Sequence, residues 1–280
     1  MVKKINLIKA FTQDKNQGNP AGVVLDADDL SDQQMQLIAA KYNFSECVFI
    51  QKSKKADFRT RFFSPQQEVD FCGHATVAGF YAIIKALRNQ YKVFTQETNI
   101  GIFEVSCYSN GFIEMEQSRP KIHDSYENAQ ILAKLLTIDE QDIIGPSQIV
   151  STGSPKLIIP IKSLDILFSI KPDFEGIKKY CQESGARGFY PFTLQTIDQA
   201  SDCHARQFNP LAGINEDPIT GIAAGALGVY ITHHNILNKK SLIIEQGYSM
   251  NKGGKMHVEI GEKIRVGGYA LEFGKEEIFI

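Results

Sequence analysis

Two hundred and eighty residues, 43% apolar and 22% charged, make a chain of ordinary globular composition, long enough for two domains and able to build a core without disulfides or metal. Thirty Lys and Arg stand against 32 Asp and Glu, a formal charge of −2, so no basic excess points to nucleic acid or to an anionic membrane. No apolar run approaches the ~20 residues that span a bilayer, and five cysteines without zinc-like pairs read as reduced thiols.

In chain order, Met1 to Lys15 shows no apolar segment ending in a small-residue cleavage site, which reads as a cytoplasmic protein without a signal peptide. Gly18-Asn19-Pro20 opens an apolar run from Ala21 to Leu25. A helix follows, with Ser31 as N-cap and Gln34 at capping-box spacing. Met35, Ile38, Ala39 and Tyr42 line one face of it. A short strand from Glu46 to Ile50 comes next. By period two, Glu46 shares a face with Phe44, Val48 and Ile50. A carboxylate on an apolar face must lie at an edge, be paired, or be functional. Desolvation there raises a pKa toward the range of a general acid/base.

The segment from His74 to Leu87 is apolar on almost every side, which marks a buried helix. Cys72-Gly73-His74 stands at its start, where His74 reads as a polar group in the first helical turn. Arg119-Pro120, between Ser118 and Asp124, is the expected boundary of two halves, residues 1–120 and 121–269.

The second half repeats the first in outline. Gly153-Ser154-Pro155 precedes Leu157 to Ile161, as Gly18-Asn19-Pro20 precedes its own run. A helix from Phe174 to Glu183 ends near Gly185, and a strand runs from Gly188 to Phe192. In this register Gly188 replaces Glu46, so any chemistry is asymmetric. Arg61, Phe63 and Pro65 recur as Arg206, Phe208 and Pro210. A second buried helix runs from Thr220 to Ile231, and its Gly221, Gly225 and Gly228 suit close packing.

Glu216-Asp217-Pro218-Ile219-Thr220-Gly221 leads into that helix. Pro218 suits a first helical turn. Asp217 reads equally as an N-cap or as a catalytic carboxylate. Two buried helix starts facing each other would cradle an anion, most simply a substrate carboxylate. His233-His234 lacks a third ligand, so no metal is expected there, and a helix C-terminus suits His⁺. Asn251 to Gly254 reads as a hairpin turn.

Taken together, GNPAGVV (Gly18 to Val24), SECVF (Ser45 to Phe49), RTRFFSP (Arg59 to Pro65), CGHAT (Cys72 to Thr76) and GINEDPITG (Gly213 to Gly221) resemble the phenazine-biosynthesis isomerase-like (PhzF-like) family. The resemblance covers nearly the whole chain. It implies an α+β, diaminopimelate epimerase-like fold: two pseudo-symmetric domains, each a curved mixed sheet around a central buried helix, with the site between them. The strand from Ala270 to Ile280 could return to the first domain.

The resemblance further implies a cofactor-independent isomerase of the trans-2,3-dihydro-3-hydroxyanthranilate type, acting on a small carboxylate and assembled as a homodimer. Glu46 matches the acid/base, and His74 and Asp217 match the other catalytic polar residues. Ser45, Gly73, Gly221 and Ile222 match substrate-binding positions, and neither metal nor cofactor is implied. Many relatives carry serine where this chain has Ile222. Diaminopimelate epimerase uses two cysteines, one per domain. Cys72 holds the first position, and the register of the two arginines sets Asp217 at the second, which disfavours an amino-acid epimerase or racemase. Cys72 then reads as structural. A silent binding protein of the same fold is the remaining alternative.

Overall fold

A computed structural model describes residues 2–88 and 91–279. Met1 and Ile280, the outer ends of two expected segments, lie outside them. The chain divides into two compact units, Met1–Glu116 with Gly267–Ile280, and Gln117–Val266. No helix among the described residues is long and apolar enough to cross a membrane.

The first unit opens with β1 (Val2–Ala10), β2 (Asn19–Val24), α1 (Asp32–Tyr42), β3 (Glu46–Gln51), β4 (Phe58–Phe63) and β5 (Glu68–Val69). It continues with α2 (Gly73–Leu87), β6 (Lys92–Thr98), β7 (Gly101–Cys107) and β8 (Phe112–Glu116). The second holds β9 (Lys121–Glu127), α3 (Ala129–Leu136), β10 (Ser147–Ser151), β11 (Pro155–Pro160), α4 (Leu164–Ser169), α5 (Phe174–Ser184) and β12 (Phe189–Thr193). After these come β13 (Cys203–Ala205), β14 (Gln207–Asn209), β15 (Ile214–Asp217), α6 (Gly221–His233), β16 (Ser241–Gln246) and β17 (Gly254–Ile260). From β18 (Ile264–Phe279), residues 267 onward belong to the first unit.

Each unit is a mixed sheet with the same alternation. In the first, β1 pairs antiparallel with β2, β2 parallel with β3, β3 antiparallel with β4, β4 parallel with β6, and β6 antiparallel with β7. In the second, β10, β11, β12, β13, β16 and β17 follow the same five steps. The first sheet closes on itself, because β18 pairs with both β1 and β8. Closure leaves no bare edge.

A closed sheet needs an apolar filling, and α2 supplies it. Every residue from Gly73 to Phe80 is buried, and the helix packs on β1, β2, β3, β7 and β8. Gly79 lets β3 approach: a Cβ there would meet Val48 and Ile50 side chains at 3.3 Å. The opposite face of β3 carries Cys47 and Phe49, which pack with Met35, Ile38 and Ala39 of α1. Ser31 caps α1 in a capping box with Gln34, as the sequence predicts. In the second unit α6 plays the central part, packing on β10, β11 and β17. Helices α3, α4 and α5 cover the outer face through Leu132, Leu167 and Ile177.

Four local expectations are corrected. Pro218 lies outside α6, which begins at Gly221 after Thr220 as N-cap. The β16–β17 hairpin turns over residues 247–253 with a short 3-10 turn at Tyr248–Met250, longer than Asn251 to Gly254 alone. Burial, and then the neighbouring His233, lower the pKa of His234, so it favours the neutral form rather than His⁺. Its Nε2 lies 2.8 Å from Gln148 Oε1. The register also differs. Phe63 pairs with Glu68, while Phe208 pairs with Glu216 across a longer loop containing a 3-10 turn. The counterpart of Cys72 is therefore Thr220, the N-cap of α6, and not Asp217.

Candidate active site

Glu46 begins β3, next to Ala21 of the parallel β2 and close to Cys47–Phe63 in the antiparallel β4. Strand alternation turns its side chain to the α2 face, the face of Val48 and Ile50. That places it against the start of α2. Cys72 is the N-cap there, with extended backbone and no side-chain cap hydrogen bond. Helices α1, α3, α4 and α5 are each capped by a side chain, from Ser31, Asn128, Ser163 and Asp173. The two buried helices, α2 and α6, are the exceptions among these six. An N-terminus without a side-chain cap leaves amide donors and a positive dipole end for a ligand.

Three side chains converge in the first unit. Cys72 Sγ lies 3.5 Å from Glu46 Oε2 and 3.4 Å from His74 Nδ1. His74 Nε2 lies 3.5 Å from the same Glu46 oxygen. Glu46 keeps 14% of its side chain exposed, whereas His74 keeps 4%. Burial pushes the His74 pKa down to about 3, so the imidazole is neutral at pH 7 and its contact with Glu46 is not an ion pair. The thiol and the neutral ring hold two protons for three contacts. The cluster therefore has more than one proton arrangement, as a proton relay requires. Cys72, read from sequence as structural, is a member of this cluster. Its place beside Gly73 and His74 was the available signal.

Ser45 lies half-buried just before β3, and Gly73 is the buried first residue of α2. Glu46, Cys72 and His74 each offer one ligand atom, all within 4.8 Å of one another. Among the described residues, these three are placed to hold a metal ion. Burial pushes the pKa of the Cys47 and Cys107 thiols up to about 12, which keeps both in the unreactive thiol form.

Asp217 belongs to the second unit, at the end of β15. Its Oδ2 accepts a hydrogen bond from the Thr220 hydroxyl. Gln246, fully buried at the end of β16, fixes the turn between them. Its Nε2 donates to Asp217 O at 2.8 Å and to Thr220 Oγ1 at 3.3 Å. Its Oε1 accepts from Thr220 N at 3.1 Å and from the Tyr190 hydroxyl at 2.9 Å. Gly247 follows in a left-handed conformation (φ 89°), and a Cβ there would stand 2.6 Å from Pro218 O. Gly221 and Ile222 open α6, Gly221 buried and Ile222 half-buried, and Ile222 O accepts from Thr152 Oγ1 at 3.1 Å. Gln246 was missed in sequence because a buried amide leaves no local pattern.

The depressed His74 pKa carries a stability consequence. Between about 3 and the ordinary 6.5 the unfolded chain binds a proton that the folded chain refuses, so folding weakens as pH falls through that window. His74→Gln should lose about 2 kcal/mol less than wild type between pH 7 and pH 4.5. Urea unfolding at the two pH values measures it. Equal losses in both proteins would show that His74 accepts a proton in the folded state.

The phenazine biosynthesis-like family model, PhzC-PhzF, matches residues 8–273. A Bacillus subtilis protein named uncharacterized isomerase YfhB is 36% identical over 270 residues, covering 93% of this chain and 92% of its own. The crystal structure of a PhzF-family phenazine biosynthesis protein from Bacillus anthracis is 33% identical and superposes with a TM-score of 0.91, covering 100% of both chains. A hydroxyproline epimerase from Agrobacterium vitis, 9% identical, shares the fold, with a TM-score of 0.66 over 99% of this chain and 92% of that one.

Proposed function

The chain belongs to the family of phenazine biosynthesis-like proteins, PhzC-PhzF, and on that footing we propose that it is a cofactor-independent isomerase that moves a proton within a small unsaturated carboxylate, with Glu46 as general acid/base. The observation that carries this reading is one partly exposed carboxylate at the start of a buried helix that lacks a side-chain cap, beside a neutral histidine.

Each part then has a task. Glu46 takes a proton from a substrate carbon, and the electron pair left behind shifts into the adjoining double bond. The carboxylic acid returns that proton to the far carbon of the shifted system. The enzyme ends as it began, and no oxidant or reductant is consumed. His74 donates a neutral N–H to a substrate oxygen, so it polarises without adding a formal charge. Ser45 and the amide of Gly73 bind polar groups of the substrate. Asp217, Gly221 and Ile222 carry substrate-binding roles from the second unit.

An epimerase that removes a proton with one thiol and returns one with another is the weaker reading. Thr220 stands where the second thiol would be, and a hydroxyl, even one hydrogen-bonded to Asp217, is a far poorer base than a thiol.

The test is proton NMR of the protein with trans-2,3-dihydro-3-hydroxyanthranilate in D₂O. Loss of the substrate signals, with deuterium appearing at one product carbon, is the expected result. An unchanged spectrum would remove this substrate. Silence across a panel of unsaturated and amino carboxylates would remove the proton-transfer reading itself. In the same assay Asp217→Ala should raise KM more than it lowers kcat. An unchanged KM would take Asp217 out of the binding set.

A further inference from the structure

We propose that Glu46, Cys72 and His74 also form a binding site for a single divalent cation of the zinc class. The geometry supports it directly. Oε2 stands 3.5 Å from Sγ and 3.5 Å from Nε2 of His74, and one ligand atom from each residue falls within 4.8 Å of the others. Donors on a tetrahedral zinc, at about 2.0 to 2.3 Å from the metal, stand roughly 3.3 to 3.7 Å apart.

A second observation points the same way. The His74 side chain is 4% exposed, and its Nε2 is buried with no hydrogen-bond partner in the described structure, facing Glu46 Oε2 at 3.5 Å. A buried ring nitrogen left so is costly in a protein interior. Coordination of a metal through Nε2 would relieve it.

The donor set selects the metal. One thiolate, one imidazole and one carboxylate suit zinc and its neighbours, whereas magnesium and calcium take oxygen ligands. On binding, the Cys72 thiol gives its proton to solvent as the metal–sulfur bond forms, and water completes the fourth position. Two anionic ligands offset the positive end of the α2 dipole. All three ligands sit on the start of β3 and the start of α2, within one unit, so no rearrangement is needed to assemble them.

The site stands independently of the substrate assignment. If Glu46 is also the acid/base, a bound cation occupies the lone pairs the reaction needs, and zinc acts as a reversible inhibitor.

Calorimetric titration of the purified protein with zinc chloride tests the stoichiometry, and cobalt(II) reports the ligands by its absorption. One metal ion per chain is expected, with a thiolate-to-cobalt charge-transfer band in the wild type. Cys72→Ser should lose that band and bind more than about 100-fold more weakly. Absence of the charge-transfer band from wild type overturns the proposal even if the variant fails to fold. Equal zinc affinity in wild type and folded Cys72→Ser overturns it as well. A protein that binds zinc at this cluster but turns over no carboxylate would keep this site and sink the isomerase reading.

Discussion

Glu46→Gln is expected to fold as the wild type does and to lose turnover by about a thousandfold or more. The change is nearly isosteric, and the strand pairing of residue 46 with Ala21 runs through the backbone. The amide cannot accept a proton from carbon, and Gly188, the counterpart of Glu46 in the second unit, supplies no substitute. Turnover by NMR and melting by circular dichroism measure the two halves of this expectation. A rate within tenfold of wild type would eliminate Glu46 as the base. Glu46→Asp adds a graded control, since it keeps the chemistry but withdraws the carboxylate by one methylene.

The largest effect on stability should come from Arg206→Ala. Arg206 is 6% exposed, and its Nε and Nη2 donate to both oxygens of Glu216 at 2.8 and 2.9 Å. Its Nη1 donates to Leu167 O at 2.9 Å and Ile170 O at 3.1 Å, and the guanidinium stacks over Phe208 at 4.8 Å. One side chain thus ties the β13–β14 junction to β15 and to the end of α4. Its removal leaves a carboxylate that is 16% exposed with Ser249 Oγ as its remaining side-chain donor, and takes a donor from two carbonyls, at an expected cost of about 3 kcal/mol.

Arg61 is the natural comparison. It makes the same fork to Glu68, at 2.8 and 2.7 Å, and stacks on Phe63 at 5.2 Å. Its further partner, however, is Asp32, whose side chain is 79% exposed, and Glu68 is 28% exposed. Water can replace Arg61 more easily, and Arg61→Ala should cost only about 1 to 2 kcal/mol. Urea unfolding of the two variants side by side decides the matter. Equal costs would mean that burial does not set the strength of these pairs.

These two arginines also show what the sequence could disclose. Arg61-Phe63 and Arg206-Phe208 stood out as a repeat, and each proves to be an arginine forked onto a glutamate of the neighbouring strand. The capping box at Ser31, the two helices without a polar face, and the carboxylate on an apolar strand face were readable because local patterns dictate them. Membership of the family rests on motifs spread from Gly18 to Gly221, and the α+β, diaminopimelate epimerase-like fold follows from it.

The missed features depend on contacts distant in sequence. Cys72 meets Glu46 only because α2 starts beside the start of β3. Gln246 reaches the Asp217–Thr220 turn across a sheet. Thr220 replaced Asp217 as the counterpart of Cys72 because the β14–β15 loop is longer than its equivalent, and a register carried over from Arg61 and Arg206 cannot see that.

The return of β18 to β1 has a consequence for the order of events on the ribosome. Val2 pairs with Phe279 and Ala10 with Ala270, so β1 waits for a strand made after the whole second unit. All of Gln117–Val266 is synthesised before that partner emerges. The inserted unit can complete its own sheet while β1 still shows a bare edge, open to mispairing with another nascent chain. Closure of the first sheet then follows synthesis of the whole second unit. Shortening β18 should therefore appear as aggregation of freshly made protein before any catalytic measurement can be taken.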